Sequence, residues 1–377
     1  MENQSGHENN GFLARLGEQF GVSTLVSTYL IPEDTNNFWY SIGGILGISL
    51  AMQFLSGFIL VFKYVPDAGL AYGITKSMIT SPIWKTVLNF HYFNAYVIFA
   101  LVITHMMRVF ISGAYRGKKK GLWFIGLLLA AVLFVIYITG EALHWDEIGF
   151  AVPWHTSEFF QAIGLSKFFG YTFAALLSIP SATVKLTQIY AIHLSLAAIV
   201  LVLLMVMHFF LIRTKTISQP FWKTPSGKDG PFSKHVKIWC IWSGIILGII
   251  ILISAFVPRN PGVAPQLLPS SPYYGKHAGP GKLGAKPTFP ISWTHGMNVF
   301  VHEKFNLEPD IWGTVIGGVL IGGSLVIIPF VDREEEEPKN LKEVFDLRKR
   351  GYAYAAMSLF WLLFLVGVIQ NAVAGPG

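Results

Sequence analysis

The chain has 377 residues, 53% hydrophobic and 13% charged, with a mean hydropathy of +0.51 and a formal net charge of +7. This composition describes a polytopic membrane protein rather than a soluble globule. The basic excess sits in a few loops and does not imply nucleic acid. The single cysteine, Cys240, excludes an intrachain disulfide, a cysteine-ligated iron–sulfur cluster and a C-x-x-C-H haem attachment.

Residues 1–35 read as an N-terminal surface segment. The first ten are polar, and 11–30 alternate apolar and polar residues (Phe12, Leu13, Leu16, Phe20). That pattern suits an amphipathic segment on a membrane, or equally a short soluble helix. No basic-then-apolar signal pattern occurs in the first 30 residues. Apolar runs predict spans at 38–64 (A), 83–111 (B), 122–145 (C), 188–212 (D), 238–257 (E), 311–331 (F) and 352–373 (G). The stretch 146–185 is too interrupted to span and too aromatic for water, so it reads as one or two interfacial helices. Residues 258–290, rich in Pro and Gly, read as a long loop, and 291–307 as a short interfacial helix. The fold class expected is an all-α membrane protein: a four-helix transmembrane domain over 36–215 and a three-helix transmembrane domain over 236–377.

Lysine and arginine set the orientation. The B–C loop carries RGKKK (116–120), and the D–E and F–G loops are also basic, which places these three on the cytoplasmic side. The N-terminus is then cytoplasmic and the C-terminus outside, in the cell's inner (cytoplasmic) membrane. The E–F loop also holds several lysines, so the asymmetry is not complete.

Spans B and D each carry a pair of histidines, His91 with His105 and His193 with His208, separated by almost wholly apolar sequence. Steps of 14 and 15 residues rise roughly 21–22 Å along a helix and return the side chain to within about 60° of its starting face. Imidazole at membrane depth is costly and needs a partner. Any one of these could be an isolated, hydrogen-bonded histidine. Two matching pairs instead supply four ligands, enough for two bis-histidine haems stacked across the bilayer. B and D run in the same direction, so His91 pairs with His193 near the outer face and His105 with His208 near the inner face. Span A holds Gly43 and Gly57, and span C holds Gly126 and Gly140, again 14 apart. A flat macrocycle in a bundle needs close backbone approach, which glycine allows, although glycine is common in membrane helices anyway.

These residues resemble cytochrome b of the quinol-oxidising bc and bf complexes. The likeness rests on both histidine pairs, both glycine pairs, Gln53-Phe-Leu-Ser-Gly57, His105-Met-Met-Arg108, and His208-Phe-Phe-Leu-Ile-Arg213 followed by Ile217-Ser218. The spacing of 15 looks like the bf branch, and Leu143-His144-Trp145-Asp146-Glu147 resembles its Leu-Pro-Trp-Asp-Gln, with His144 in place of proline. Spans E to G resemble that branch's separate three-helix subunit, here fused, with Ile328-Pro329-Phe330 closing span F.

The resemblance implies two non-covalent haem b groups and a quinone or quinol as substrate. It also implies membrane lipid, Rieske iron–sulfur and cytochrome c-type partner subunits, and a homodimeric complex. Arg108 would meet a haem propionate, and Arg213 a propionate or the inner quinone. The chain departs from the family in three places. Leu88 stands where an arginine is usual, with Lys85 the nearest cation. Ser41 stands where the bf branch has a haem-linking cysteine, so no covalent third haem is expected. The family's Pro-Glu-Trp-Tyr is reduced to Pro290-Ile-Ser-Trp293, which leaves His295, His302 and Glu303 as the catalytic candidates for quinol proton transfer. Two other readings stand beside this one. A di-haem anchor for a dehydrogenase or hydrogenase would need only one quinone site. A proton-coupled transporter would bind no haem.

Overall fold

A computed structural model of the chain describes residues 29–150, 186–215, 217–260, 262, 289–290, 292–307, 312–313 and 315–373. The segment expected to lie on the membrane surface before residue 29, the interfacial helices of 151–185 and most of the 258–290 loop lie outside the described residues.

The described chain is helical. The helices are α1 (Phe38–Val61), α2 (Ala71–Thr80), α3 (Pro82–Ile111), α4 (Lys120–Ala142), α5 (Leu186–Lys215), α6 (Phe232–Phe256), α7 (Ser292–Phe305), α8 (Ile316–Val331) and α9 (Leu347–Val373). Local chemistry starts them. Asn37 caps α1 by accepting the Tyr40 amide at 3.2 Å, and α3 opens with Pro82 at its first position. Six helices, α1, α3, α4, α5, α6 and α9, are apolar and long enough to cross a membrane. The shortest, α4 at 23 residues, rises about 35 Å against a hydrocarbon core of about 30 Å. The chain is a multi-pass membrane protein. The seventh expected span, 311–331, contains the apolar helix α8, which rises about 24 Å, while 308–311 and 314 lie outside the described residues.

Helices α1 and α3 pack together, as do α4 and α5, and the two pairs form one bundle. At its centre lie Leu50, Ile98, Leu133 and Leu201, one from each helix, all buried in a single apolar cluster. In α1, α3 and α4 this residue falls midway between the two glycines or the two histidines, and in α5 within a residue of midway. An apolar layer therefore separates two polar levels. Helix α6 lies against α1 and α3, where Leu247 and Ile250 meet Phe90. Helices α7 and α8 pack on α9. A second core of Phe110, Tyr115, Trp123, Leu325, Ile328 and Met357 joins the α3–α4 end to α8 and α9, and Trp123 Nε1 donates to the Leu325 carbonyl at 3.0 Å.

The three basic connections meet at one end of the molecule. Lys119 reaches Glu337 at 2.6 Å and Ser218 at 3.1 Å, and Lys120 reaches Glu335 at 2.8 Å. A short antiparallel pairing of Leu30–Pro32 with Asp229–Pro231 ties the residues before α1 to the α5–α6 connection at this same end. Asp34 locks it by accepting from Lys223 at 2.6 Å and from the Ser226 amide at 2.7 Å. These bonds hold its carboxyl down to about 2, from an ordinary 3.8. A depressed carboxyl stabilises the fold above its unfolded value and loses that contribution as pH falls through the folded one. The stability gap between wild type and Asp34→Asn should therefore be constant above about pH 4 and close as pH falls towards 2. Thermal melts in detergent across that range measure it, and a gap that persists at pH 2 counts against the lock.

Candidate functional site: two levels of facing histidines

The bundle brings the four histidines into two levels. At the first level the His91 and His193 rings face across the bundle with centroids 6.3 Å apart, at 70° to one another. Two imidazole nitrogens bound on opposite sides of one metal, at about 2 Å each, place ring centroids roughly 6.3 Å apart. The outward nitrogens are already engaged. His193 Nδ1 lies 2.9 Å from the Ile136 carbonyl, which can only accept, so this nitrogen carries the hydrogen. His91 Nδ1 lies 2.9 Å from Ser56 Oγ, whose own hydrogen goes to the Gln53 carbonyl at 3.0 Å, so Nδ1 again donates. Both rings are thereby fixed in the tautomer that leaves Nε2 with a free lone pair, as in a metal-ligating histidine whose other ring nitrogen donates a hydrogen bond.

The second level is formed by His105 and His208. Among the described residues, the Nδ1 atoms of both are buried without a hydrogen-bond partner, and so is Arg108 Nε. Arg108 lies over the Tyr40 ring at 4.7 Å. His235, at the start of α6, is buried beside Trp239. Buried polar atoms left without partners point to a polar ligand group at this level. Arg213 is exposed and lies over the Tyr29 ring at 4.3 Å.

Each of the four glycines backs one of these imidazoles. An added Cβ at Gly43 would sit 3.0 Å from His105 Cε1, at Gly57 3.0 Å from His91, at Gly140 2.8 Å from His193, and at Gly126 4.0 Å from His208. The close approach the spacing suggested for a macrocycle is thus made first by the imidazoles themselves. These contacts also set helix directions: α1 runs antiparallel to α3, α4 antiparallel to α5, and α3 parallel to α5. The distances rank the glycines. Gly140→Ala should displace a ring held through its one Nδ1 at Ile136 and, if the pair ligates haem as the spacing predicts, lower haem occupancy at the first level. Gly126→Ala meets only ordinary contact and should keep full occupancy. Haem-to-protein ratios of the two purified variants test this ranking, and equal ratios would refute it.

A cavity of about 440 Å³ opens at the first level, lined by His91, His193, Gln53, Gly57, Gly140, Tyr92, Tyr137, Glu141 and His144 among others. Its span and its facing lone pairs fit a flat, metal-centred macrocycle. The proton-transfer candidates lie elsewhere, on α7. His295 Nδ1 pairs with Asn371 Oδ1 at 2.9 Å, and Glu303 accepts from Gln370 at 2.7 Å. His302 is exposed near the C-terminal end of α7. None of the three lines the cavity.

Sequence reasoning passed over Ser56, Thr139, Glu141, Arg259 and His235. A signal for the first two was present: each glycine facing a first-level histidine follows a hydroxyl residue, Ser56-Gly57 and Thr139-Gly140. Thr139 Oγ1 lies 3.2 Å from His193 Nδ1.

Comparison with known proteins agrees with this geometry. The family model for cytochrome b/b6/petB matches residues 26–216. Cytochrome b6 of Gracilaria tenuistipitata var. liui is 29% identical over 214 residues, covering 55% of this chain and 96% of that one. Cytochrome b6 of Prochlorothrix hollandica is 28% identical over 204 residues, covering 53% of this chain and 89% of that one. A chain of a solved structure titled "Hyperthermophilic respiratory Complex III" superposes with a TM-score of 0.69 at 18% identity, over 96% of this chain and 99% of that one, a likeness of fold that extends past residue 216. With half its length matched by the family model and its histidine pairs disposed as described, the chain belongs to the cytochrome b/b6 family.

Proposed function

We propose that this chain is the di-haem cytochrome b subunit of a quinol-oxidising membrane complex. In this reading His91 with His193, and His105 with His208, each hold one haem b by bis-histidine ligation. When bound, such haems supply one-electron redox chemistry through the lipid. The observation that carries the reading is the placement of His91 and His193, with ring centroids 6.3 Å apart and both Nδ1 atoms engaged.

The chain's own residues do the rest. The glycines let the imidazoles pack back against neighbouring helices, and the Leu50–Ile98–Leu133–Leu201 layer keeps water out between the levels. Arg108 offers its unpartnered guanidinium nitrogen to a propionate. Quinol would bind near the first level, with one electron leaving to an external Rieske iron–sulfur subunit and cytochrome c-type partner. The other would cross to the second level, near Arg213, to reduce quinone. Each elementary charge moved across the membrane is worth about 2.3 kcal/mol per 100 mV. The meeting of the basic loops at one end supports a cytoplasmic N-terminus, with the first level towards the outside.

Affinity purification from native membranes tests the assignment against the anchor reading. The proposal expects a Rieske-type iron–sulfur protein in the complex and quinol-driven reduction of its acceptor. A complex that instead contains a dehydrogenase or hydrogenase, with no Rieske-type protein, would contradict it.

A further inference from the structure

Haem b carries two propionates, so at the first level it would bring carboxylates into a cavity whose wall supplies no cation. The lining holds one carboxylate, Glu141, and no lysine or arginine. Leu88, 7% exposed and part of that wall, stands where the family resemblance places an arginine. The second level differs, since Arg108 is buried there with an unpartnered nitrogen.

A cation stands one layer behind the first-level wall. Arg259 follows the end of α6 at Phe256. Its guanidinium lies over the Tyr92 ring, 3.8 Å from the centroid, and its Nη2 is 3.2 Å from His144 Nε2. Both neighbours line the cavity: Tyr92 follows His91 on α3, and His144 lies in the turn after α4. Their rings meet edge to face with centroids 5.6 Å apart, and the Tyr92 hydroxyl accepts from Tyr96 at 2.6 Å. The guanidinium is thus held against the wall by two residues. Its Nη1 is buried and has no hydrogen-bond partner among the described residues.

A buried guanidinium nitrogen without an acceptor is costly, and a planar carboxylate is the acceptor its fork fits best. The place of Arg259 in the chain is also informative. It lies beyond residues 26–216, which the family model matches, and it touches His144, which stands where the resemblance has proline.

We propose that Arg259 binds a propionate of the first-level haem, with Tyr92 and His144 as its positioning residues. This inference rests on the reading of His91 and His193 as haem ligands. The first-level haem is then held across both parts of the chain, by ligands from α3 and α5 and by a counter-charge from the connection after α6. The second-level haem finds its counter-charge, Arg108, within α3 itself.

The test uses the full-length protein purified with its haems and reads three quantities. These are haem release to excess apomyoglobin, the midpoint potential of each haem, and the propionate bending band in the resonance Raman spectrum. The first-level haem is the component that His91→Ala removes. Arg259→Gln should release that haem about tenfold faster, because a charge-assisted hydrogen bond is lost. It should also lower that haem's midpoint potential, because the ferric form no longer faces a cation, and it should move the propionate band. The second-level haem should keep its release rate and its potential. Arg259→Lys should hold the midpoint near wild type and recover part of the retention, as a point charge without the fork. Release from Arg259→Gln within twofold of wild type, an unmoved propionate band, or equal loosening of both haems overturns the assignment. If Arg259→Gln does not assemble, Arg259→Lys decides, and an unmoved propionate band in it rejects Arg259. A wild-type protein without haem, or a His91→Ala variant that keeps both, would overturn the ligand reading and this inference with it. A failure confined to the Arg259 variants would overturn the inference alone.

Discussion

On the proposed di-haem reading, replacing His91 by alanine should yield a protein that has lost one haem and keeps the other. The first-level site depends on two imidazoles that approach from α3 and α5, each aimed by a single outward hydrogen bond. Removing one leaves its partner facing an open cavity, while the second level, roughly 21 Å further along the helices, is untouched. The double variants make the pairing itself measurable. His91→Ala with His193→Ala should again lose only one haem, because both changes fall on one site. His91→Ala with His105→Ala should lose both. Crossed pairing predicts that His91→Ala with His193→Ala loses both, so haem counts on three purified proteins separate the two arrangements.

The second large effect lies far from the cavity. Asp332, directly after α8, is almost wholly buried and binds Arg116 Nε at 3.0 Å and Nη2 at 3.1 Å. It also accepts from the Tyr115 hydroxyl and approaches Arg350 Nε at 3.7 Å. Arg350 is fully buried and donates to the Phe110 carbonyl at 2.8 Å and to that of Ile111 at 3.2 Å, satisfying carbonyls at the C-terminal end of α3. One carboxylate thus serves two buried guanidiniums that join the α3–α4 connection to α8 and α9. Breaking such a buried pair from one side typically costs about 3–5 kcal/mol, because the remaining charge is left uncompensated. Asp332→Asn should therefore lower the thermal midpoint sharply and detach α8 and α9 before the four-helix bundle melts. Thermal unfolding followed by limited proteolysis tests this, and an unshifted midpoint would contradict it. By contrast, replacing the exposed partner in Lys339–Glu336 should change stability little.

Much of this architecture was legible in the residue pattern. Long apolar runs set the bundle, and the histidine and glycine spacings carried both polar levels, because helical periodicity converts a 14-residue step directly into a shared face. The 15-residue step in α5 was legible as a likeness to the bf branch, without a physical reason. The structure gives its physical reason: Ile192–Leu196, which includes His193, forms a π turn. A π turn absorbs one extra residue, so His193 and His208 recover the register of a 14-residue step.

What stayed hidden depends on contacts between segments distant in sequence. Arg350 looks like one cation in a charged loop, and only folding buries it against the end of α3. Arg259 reads as a cation in a loop, and its place beside the cavity depends on Tyr92 and His144 arriving from other elements. The candidates on α7 were chosen by nearness in sequence to the altered Pro290-Ile-Ser-Trp293 stretch, and sequence distance says nothing about which side of α7 meets the cavity. Helix α6, grouped with the C-terminal part by its resemblance to a separate three-helix subunit, lies against α1 and α3 through Leu247, Ile250 and the Asn89–Ser254 hydrogen bond of 3.1 Å, a contact no local pattern announces.

The central claim concerns two levels of paired imidazoles, each gripping an iron porphyrin. Haem stoichiometry of the purified wild-type chain, taken with its low-temperature electron paramagnetic resonance spectrum, tests that claim most directly. The account predicts two haem b groups per chain, both low-spin with two nitrogen ligands from histidine. A colourless, fully folded protein, or a single haem unaffected by substitution at any of the four histidines, would contradict it.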